Sequence, residues 1–216
     1  MMLTLPFSLA TAQDTPPPDD PKLPRVLLLG DSISFGYTPE VRRRLSGQAN
    51  VHRIPGTVAG TTQGSLTLDT RSALLHLDTW LGTGKWEVIH FNWGLHDVKI
   101  SPSGEHQVPL AEYEKNLDLL VRRLWKTGAR LIWASTTPIP QGKLAPPRVS
   151  GDEEKYNAVA RKIMARHAVP IDDLNALGKE LQRSRLQKPA NVHFTDEGSA
   201  RLGEQVAGII RRELKK

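Results

Sequence analysis

The segment RVLLLGDSISFGY, Arg25 to Tyr37, decides the fold prediction for this chain. The apolar residues Val26–Leu29 predict a buried strand that stops abruptly at Gly30-Asp31-Ser32. Strands often end at Gly, Asp or Ser, because these residue types suit turns. Ser32 is therefore either a turn residue or a nucleophile, and the choice depends on whether the rest of the chain supplies the partners that a nucleophilic serine needs.

Short apolar runs and longer amphipathic segments alternate along the rest of the chain. Strands are predicted at 26–29, 50–54, 87–93 and 129–136, with a brief extended segment at 169–171. Helices are predicted at 39–46 (with Thr38 as N-cap and Pro39 in the first turn), 70–81, 110–124, 152–167, 174–182 and from 196 onward. This alternation predicts a three-layer α/β/α sandwich around a parallel sheet of about five strands.

Several polar or glycine-rich loops directly follow the predicted strands. In an open parallel sheet, ligands bind at the carboxyl ends of the strands, near the point where the strand order reverses. The loops expected to meet at this edge are Gly30-Asp31-Ser32, the loop around Gly60, Gly94-Leu95-His96-Asp97 and the loop after Thr137.

A serine hydroxyl becomes a good nucleophile only when a base accepts its proton. The candidate base is His193, in a loop just before the last predicted helix. Acyl transfer also needs hydrogen-bond donors for the oxyanion, and the backbone N–H groups of Ser32 and Gly60 suit this role. The sequence therefore favours acyl-transfer chemistry at the predicted sheet edge.

Four sequence blocks resemble those of the SGNH or GDSL-type hydrolases, over nearly the whole chain from Arg25 onward. The blocks are Gly30-Asp31-Ser32, Gly60 (with Gly56 as the second choice), Gly94-Leu95-His96-Asp97 and Ala190-Asn191-Val192-His193. The third block is similar to a bacterial branch of the family with Gly-Leu-His-Asp. The resemblance implies a flavodoxin-like SGNH hydrolase fold and a serine esterase that uses no metal and no organic cofactor.

The resemblance also implies a role for each residue of the site. It assigns catalysis to Ser32 and His193, the oxyanion hole to Ser32, Gly60 and His96, and support of the site to Asp31, Gly94, Asp97 and Asn191.

Two positions depart from the family pattern. His96 stands where the family has an oxyanion-hole asparagine; an imidazole N–H can donate there, and the hole is then expected to be pH-sensitive. Ala190 stands where the family has the aspartate that orients the catalytic histidine. Asn191, Asp196 or a backbone carbonyl could take over this task, and the sequence leaves the three open.

Composition and charge narrow the function further. The chain has 216 residues, a net charge of +6 and no cysteine, which excludes disulfides, thiolate metal sites and cysteine nucleophiles. The basic residues are dispersed over helix-like segments, and no nucleic-acid-binding motif is present, so no nucleic-acid partner is expected.

The first residues predict export. Residues 1–12 are apolar and end at Ala10-Thr11-Ala12, a pattern typical of a signal peptide, and residues 13–24 form a proline-rich linker. Residues 25–216 are the predicted catalytic domain. A periplasmic or secreted location follows, without stable insertion into a membrane.

The hypothesis from sequence is an exported serine esterase that hydrolyses short acyl esters, especially O-acetyl groups, on small molecules or polysaccharides. One alternative is a lipase or lysophospholipase with an apolar groove beside Ser32, formed by the loop TPIPQGKLAPP at 137–147. Another is a catalytically weakened carbohydrate-binding protein, suggested by His96 and Ala190. The distance between Ser32 and His193 distinguishes an enzyme from a binding protein.

Overall fold

A five-stranded parallel sheet forms the centre of the computed structural model, which describes residues 18–54 and 68–216. The strands lie in the order β2-β1-β3-β4-β5. Their bounds are β1 Arg25–Leu29, β2 Asn50–Arg53, β3 Val88–Phe91, β4 Arg130–Ala134 and β5 Ile171–Asp172. The predicted α/β fold with a parallel sheet is confirmed.

Six helices cover the sheet in the described residues. They are α1 Ser32–Arg44, α2 Thr70–Leu81, α3 Leu110–Trp125, α4 Asp152–Arg166, α5 Leu174–Arg183 and α6 Asp196–Leu214. Helix α6 packs on α1 and α5, whereas α3 packs on α2 and α4. The strand order reverses between β1 and β3, so the loops after these two strands flank the crevice where such sheets bind ligands. None of the described helices is both long and apolar enough to cross a bilayer.

The inner strands are buried on both faces. Residues Val26–Leu29 of β1, Val88–Phe91 of β3 and Leu131–Ala134 of β4 are almost inaccessible to solvent. Parallel strands that are covered by helices on both faces have nearly continuous apolar sequences, and for this reason the strand positions could be predicted from the sequence. The buried sheet gives the loops at its carboxyl edge a rigid support.

The N-terminal part of the chain is described only from residue 18 onward, so the predicted signal peptide lies outside the described residues. The end of the predicted linker contacts the domain, because the Asn50 side-chain amide donates to the carbonyl oxygens of Asp20 and Leu23, at 2.8 and 3.1 Å. The beginning of the predicted linker, residues 13–17, also lies outside the described residues.

The predicted start of the first helix is wrong. Helix α1 begins at Ser32 rather than after Thr38, and Pro39 lies inside it. The Asp31 carboxylate accepts the Ile33 N–H at 2.9 Å and so caps the helix seven residues earlier than Thr38 would. Thr38 does not cap a helix; its hydroxyl donates to the Ser34 carbonyl at 2.6 Å.

Helices α1 and α6 pack closely where α6 has a glycine. A Cβ on Gly203 would lie 2.7 Å from Glu40 Cβ and 2.9 Å from the Tyr37 carbonyl oxygen. Helix α1 begins with Ser32, and α6 begins three residues after His193. The close approach at Gly203 therefore controls how near these two residues lie.

We expect Gly203→Ala to lower the free energy of unfolding by about 1–3 kcal/mol, because the added methyl overpacks the α1–α6 contact. Gly208→Ala is the matched control, since a Cβ there would meet nothing closer than Arg212 Nη1 at 3.8 Å. The control should be neutral, or more stable by up to about 1 kcal/mol from helix propensity. Urea denaturation of both variants measures the difference; equal stabilities would contradict the packing account.

Candidate active site

Ser32 is the first residue of α1 and directly follows the turn at the end of β1. Its backbone N–H is the first of the helix and has no acceptor within the helix, so it lies at the positive end of the helix dipole. Asp31 fixes this turn, because its carboxylate binds the Ile33 N–H and its carbonyl accepts the Ser34 hydroxyl at 2.7 Å. Burial raises the pKa of Asp31.

The structure brings Ser32 and His193 together at the carboxyl edge of the sheet. The Nε2 atom of His193 lies 2.7 Å from Ser32 Oγ, across 161 positions of sequence. His193 is held in its loop by the bond from the Lys188 N–H to its carbonyl oxygen at 2.9 Å. This is the hydrogen-bond geometry in which a histidine can take the proton of a serine hydroxyl.

Asn191 orients the His193 ring. Its Oδ1 atom accepts the backbone N–H of His193 at 3.0 Å and lies 2.7 Å from the Nδ1 atom of the ring. The backbone N–H of His193 can only donate, so the Asn191 atom that it contacts must be the side-chain oxygen. Since an amide oxygen can only accept, the Nδ1 atom of His193 must carry a proton and donate it to the same oxygen. Nε2 is consequently unprotonated in the neutral ring and accepts the Ser32 hydroxyl.

Of the three groups that the sequence left open, Asn191 is the one that contacts the His193 ring in the described residues. Ala190 occupies an exposed turn with a left-handed backbone, φ 45°, and its side chain offers no hydrogen bond. Asn191 contacts the ring through a neutral amide. Burial, and then the charges of Lys188 and Arg148, lower the pKa of His193 from its ordinary value near 6.5.

His96 is held as a neutral donor. Its Nδ1 accepts the Leu68 N–H at 3.1 Å and lies 2.8 Å from Lys99 Nζ, so the ring proton sits on Nε2. Burial, with the charges of Lys99 and Arg148, lowers the pKa of His96 to about 3. The expected pH sensitivity of the oxyanion hole would then require His96 to become charged well below neutral pH, and it stays a prediction.

Gly94 and Asp97 support the loop that carries His96. A Cβ on Gly94 would overlap Thr136 Oγ1, so glycine is needed for this loop to pass beside the end of β4. The Asp97 carboxylate accepts both the N–H and the hydroxyl of Thr70, at 3.0 and 2.6 Å, and burial raises the pKa of Asp97 to about 7. The loop is thereby tied to the start of α2.

Two cavities adjoin Ser32 and His193. One, of about 580 Å³, lies along α1 and the start of α6; the other, of about 470 Å³, also contains His96 and Asn191 in its lining. Sequence reasoning missed Arg148, which together with Lys99 and Lys143 provides the charged part of the second cavity. All three residues lie in segments that follow β3 or β4. The rule that the loops after parallel strands meet at one edge of the sheet therefore predicts that they lie near the site. The predicted oxyanion-hole residue Gly60, and Gly56, lie outside the described residues.

Comparison with known proteins agrees with this geometry. Residues 28–201 match the model of the GDSL-like Lipase/Acylhydrolase family. No protein of curated function matches the sequence.

Among solved structures, the fold is similar to that of the lipase/acylhydrolase from Enterococcus faecalis (TM-score 0.71, 19% identity, 88% of this chain and 96% of that one). It is also similar to the acetyl xylan esterase AlAXEase (TM-score 0.70, 16% identity, 86% and 99%). A third is the acetylxylan esterase Axe2 from Geobacillus stearothermophilus (TM-score 0.67, 18% identity, 88% and 94%).

We expect the rise of kcat/KM with pH to have its midpoint below 6.5 in the wild type, because only the neutral His193 ring accepts a proton and its pKa is lowered. Asn191→Asp places a negative charge against Nδ1, which raises the pKa of His193 and moves this midpoint to higher pH. The pH profile of ester hydrolysis measures both.

Gln48→Glu adds the same charge at the turn beyond the far end of α1 and serves as the control, with an unchanged profile expected. Identical midpoints for wild type and Asn191→Asp would contradict the assigned contact between Asn191 and the ring.

Proposed function

The chain belongs to the GDSL-like lipase/acylhydrolase family and is a carboxylic ester hydrolase, and we propose that it removes short acyl groups, above all O-acetyl, from carbohydrates. The proposed catalytic residues are Ser32 and His193. The single observation that carries the proposal is the 2.7 Å hydrogen bond between Ser32 Oγ and His193 Nε2.

In the proposed first step, Ser32 Oγ attacks the ester carbonyl carbon while His193 Nε2 takes the hydroxyl proton. The carbonyl oxygen becomes an oxyanion, which the Ser32 N–H and the His96 Nε2–H stabilise; Gly60 is proposed as a further donor. Such donors are often the largest single contribution to catalysis, and losing one commonly slows the reaction about 10²–10³-fold.

The second step releases the alcohol. The imidazolium of His193 gives its proton to the leaving alkoxide, and the acyl group stays on Ser32 as an ester. Water then attacks this acyl-enzyme while His193 accepts its proton. As the second oxyanion collapses, His193 returns that proton to Ser32 Oγ, which frees the carboxylic acid and the serine. In this proposal Asn191 Oδ1 accepts the Nδ1–H of His193 in both steps.

Two observations support a short acyl group on a polar alcohol. Lys99, Lys143 and Arg148 give the second cavity a charged part that suits a polar alcohol. The loop proposed as an apolar lipase groove contributes Lys143 to this lining together with three apolar residues, Leu144, Ala145 and Pro146. Two of the structural neighbours are named as acetyl xylan esterases, although the likeness extends to the fold alone.

The alternative of a binding protein with a weakened site is less well supported. It would fit a serine and a histidine pointing apart, whereas the two side chains share a short hydrogen bond. Export to the periplasm or medium belongs to the proposal and is supported by the apolar residues 1–12 with their Ala10-Thr11-Ala12 end.

We expect hydrolysis of 4-nitrophenyl esters to be fastest for acetyl, to fall steadily towards octanoyl, and to be accompanied by release of acetate from acetylated xylo-oligosaccharides. Ser32→Ala should lower kcat by at least about 10³-fold, because among the described residues Ser32 is the nucleophile that is hydrogen-bonded to His193. Ser46→Ala, an exposed serine in the turn after α1, is the matched control with full activity expected.

A rate maximum on long acyl chains would support the lipase alternative instead. Retention of activity in Ser32→Ala would contradict the assigned nucleophile. Assaying the periplasmic and cytoplasmic fractions of a bacterial host separately tests export in the same experiment.

A further inference from the structure

The cavity of about 470 Å³ beside Ser32 carries positive charge only. Lys99, Lys143 and Arg148 contribute to its lining, together with the neutral His96 and His193, and the lining contains no aspartate and no glutamate. Cations gathered in a concave site raise the local potential and attract anions from solution. The positive charge therefore lies beside Ser32 and His193, where the substrate of the proposed reaction would bind.

The two half-buried cations of the cavity have no carboxylate partner in the described part of the chain. Lys99 Nζ contacts His96 Nδ1 at 2.8 Å. Arg148 donates to two carbonyl oxygens, those of Leu95 at 2.7 Å and Pro146 at 3.2 Å. The segment 55–67, outside the described residues, contains no acidic residue in its sequence.

Lys99 and Arg148 each have N–H groups that are not used in hydrogen bonds to the described residues. A lysine ammonium has three N–H groups and an arginine guanidinium has five. One of Lys99 and two of Arg148 are engaged by His96, Leu95 and Pro146. Burial lowers the pKa of Lys99, and repulsion from Arg148 adds to this effect; together they outweigh the attraction of Asp31, Asp69 and Asp97.

The neighbouring cavity along α1 and α6 is different. Its charged lining residues are mixed in sign, with Glu40 and Asp196 beside Arg43 and Lys188, and Glu40 and Arg43 pair directly. Asp31 acts electrostatically on both Lys99 and Arg148, but its carboxylate caps α1 and lies outside the lining of the cationic cavity. The excess of positive charge is therefore confined to one side of Ser32.

We propose that this cavity is a subsite for an anionic group, a carboxylate or sulfate, carried by the alcohol portion of the ester substrate and bound by Lys99 and Arg148. The inference rests on the proposed function, which assigns the ester to Ser32. An acetyl group has no ionisable substituent, so the anionic group must be on the alcohol portion of the ester. Arginine suits such oxyanions because its planar N–H groups can bind two oxygens at once. An O-acetylated acidic sugar is the substrate class with this chemistry.

The test compares acetyl esters that differ in charge. We expect wild-type kcat/KM, normalised to the rate of alkaline hydrolysis, to be at least about tenfold higher for 4-acetoxybenzoate and 4-acetoxybenzenesulfonate than for neutral 4-acetoxy-N-methylbenzamide. The preference should shrink as the ionic strength rises. The 4-nitrophenyl half-ester of adipic acid, compared with 4-nitrophenyl hexanoate, places the anion on the acyl side, where no preference is expected.

In the variants we measure the ratio of kcat/KM for the anionic acetyl esters to kcat/KM for the neutral acetyl ester. Arg148→Gln and Lys99→Gln should each reduce this ratio by about tenfold, and Lys143→Gln, an exposed residue, by less. Lys126→Gln is the matched control: it removes one exposed lysine just after α3, at the opposite edge of the sheet, and should leave the ratio unchanged. Thermal unfolding of each variant shows whether it is folded.

A ratio near one in the wild type, or a ratio that Arg148→Gln and Lys99→Gln leave unchanged, would overturn the subsite. A preference for the adipate half-ester alone would place the anion on the acyl side and overturn the assignment to the alcohol. A different result would contradict the proposed function itself: the wild type would hydrolyse none of the esters faster than Ser32→Ala does. Calorimetric binding of 4-acetoxybenzoate against the neutral amide to Ser32→Ala then still tests the subsite, and equal affinities would contradict it.

Discussion

The packing of α1 on α6 is the contact on which the whole site depends. Ser32 opens α1 and His193 precedes α6, so two residues 161 positions apart are brought to 2.7 Å by the way their helices meet. Gly203 makes the close approach possible, and the Asp31 cap fixes where α1 starts. We expect a change in either to move the serine relative to the histidine, although neither residue lines the two cavities beside Ser32.

The pKa values of both histidines of the proposed site are lowered, chiefly by burial, and a backbone N–H identifies the tautomer of each neutral ring. The His193 N–H identifies the Asn191 oxygen, which leaves Nε2 free to accept a proton, whereas the Leu68 N–H occupies Nδ1 of His96 and leaves its Nε2 as a donor. One ring can therefore act as the base and the other as an oxyanion donor at the same pH. An amide in place of the usual aspartate holds the ring without adding charge, in a cavity already rich in cations.

The sequence predicted most of the fold because its signals were local. Buried parallel strands read as apolar runs, and the last helix begins at 196 as predicted, where the Thr195 hydroxyl accepts the Gly198 N–H at 3.1 Å. The start of α1 failed because Thr38 and Pro39 form a good local cap signal, but Asp31 caps the helix earlier. The roles of Asn191 and Arg148 could not be settled from sequence, since they depend on loops that meet only in the folded chain. The lowered pKa of His96 could not be predicted for the same reason, because burial and Lys99 act on it only there.

The central claim is that Ser32 is the nucleophile and that His193 activates it, and covalent labelling tests this most directly. The protein is treated with a fluorophosphonate, and the modified peptide is located by mass spectrometry. The account predicts a single phosphonyl adduct on Ser32, absent in Ser32→Ala and formed far more slowly in His193→Ala. An adduct on another residue, or equal labelling of the wild type and His193→Ala, would contradict it.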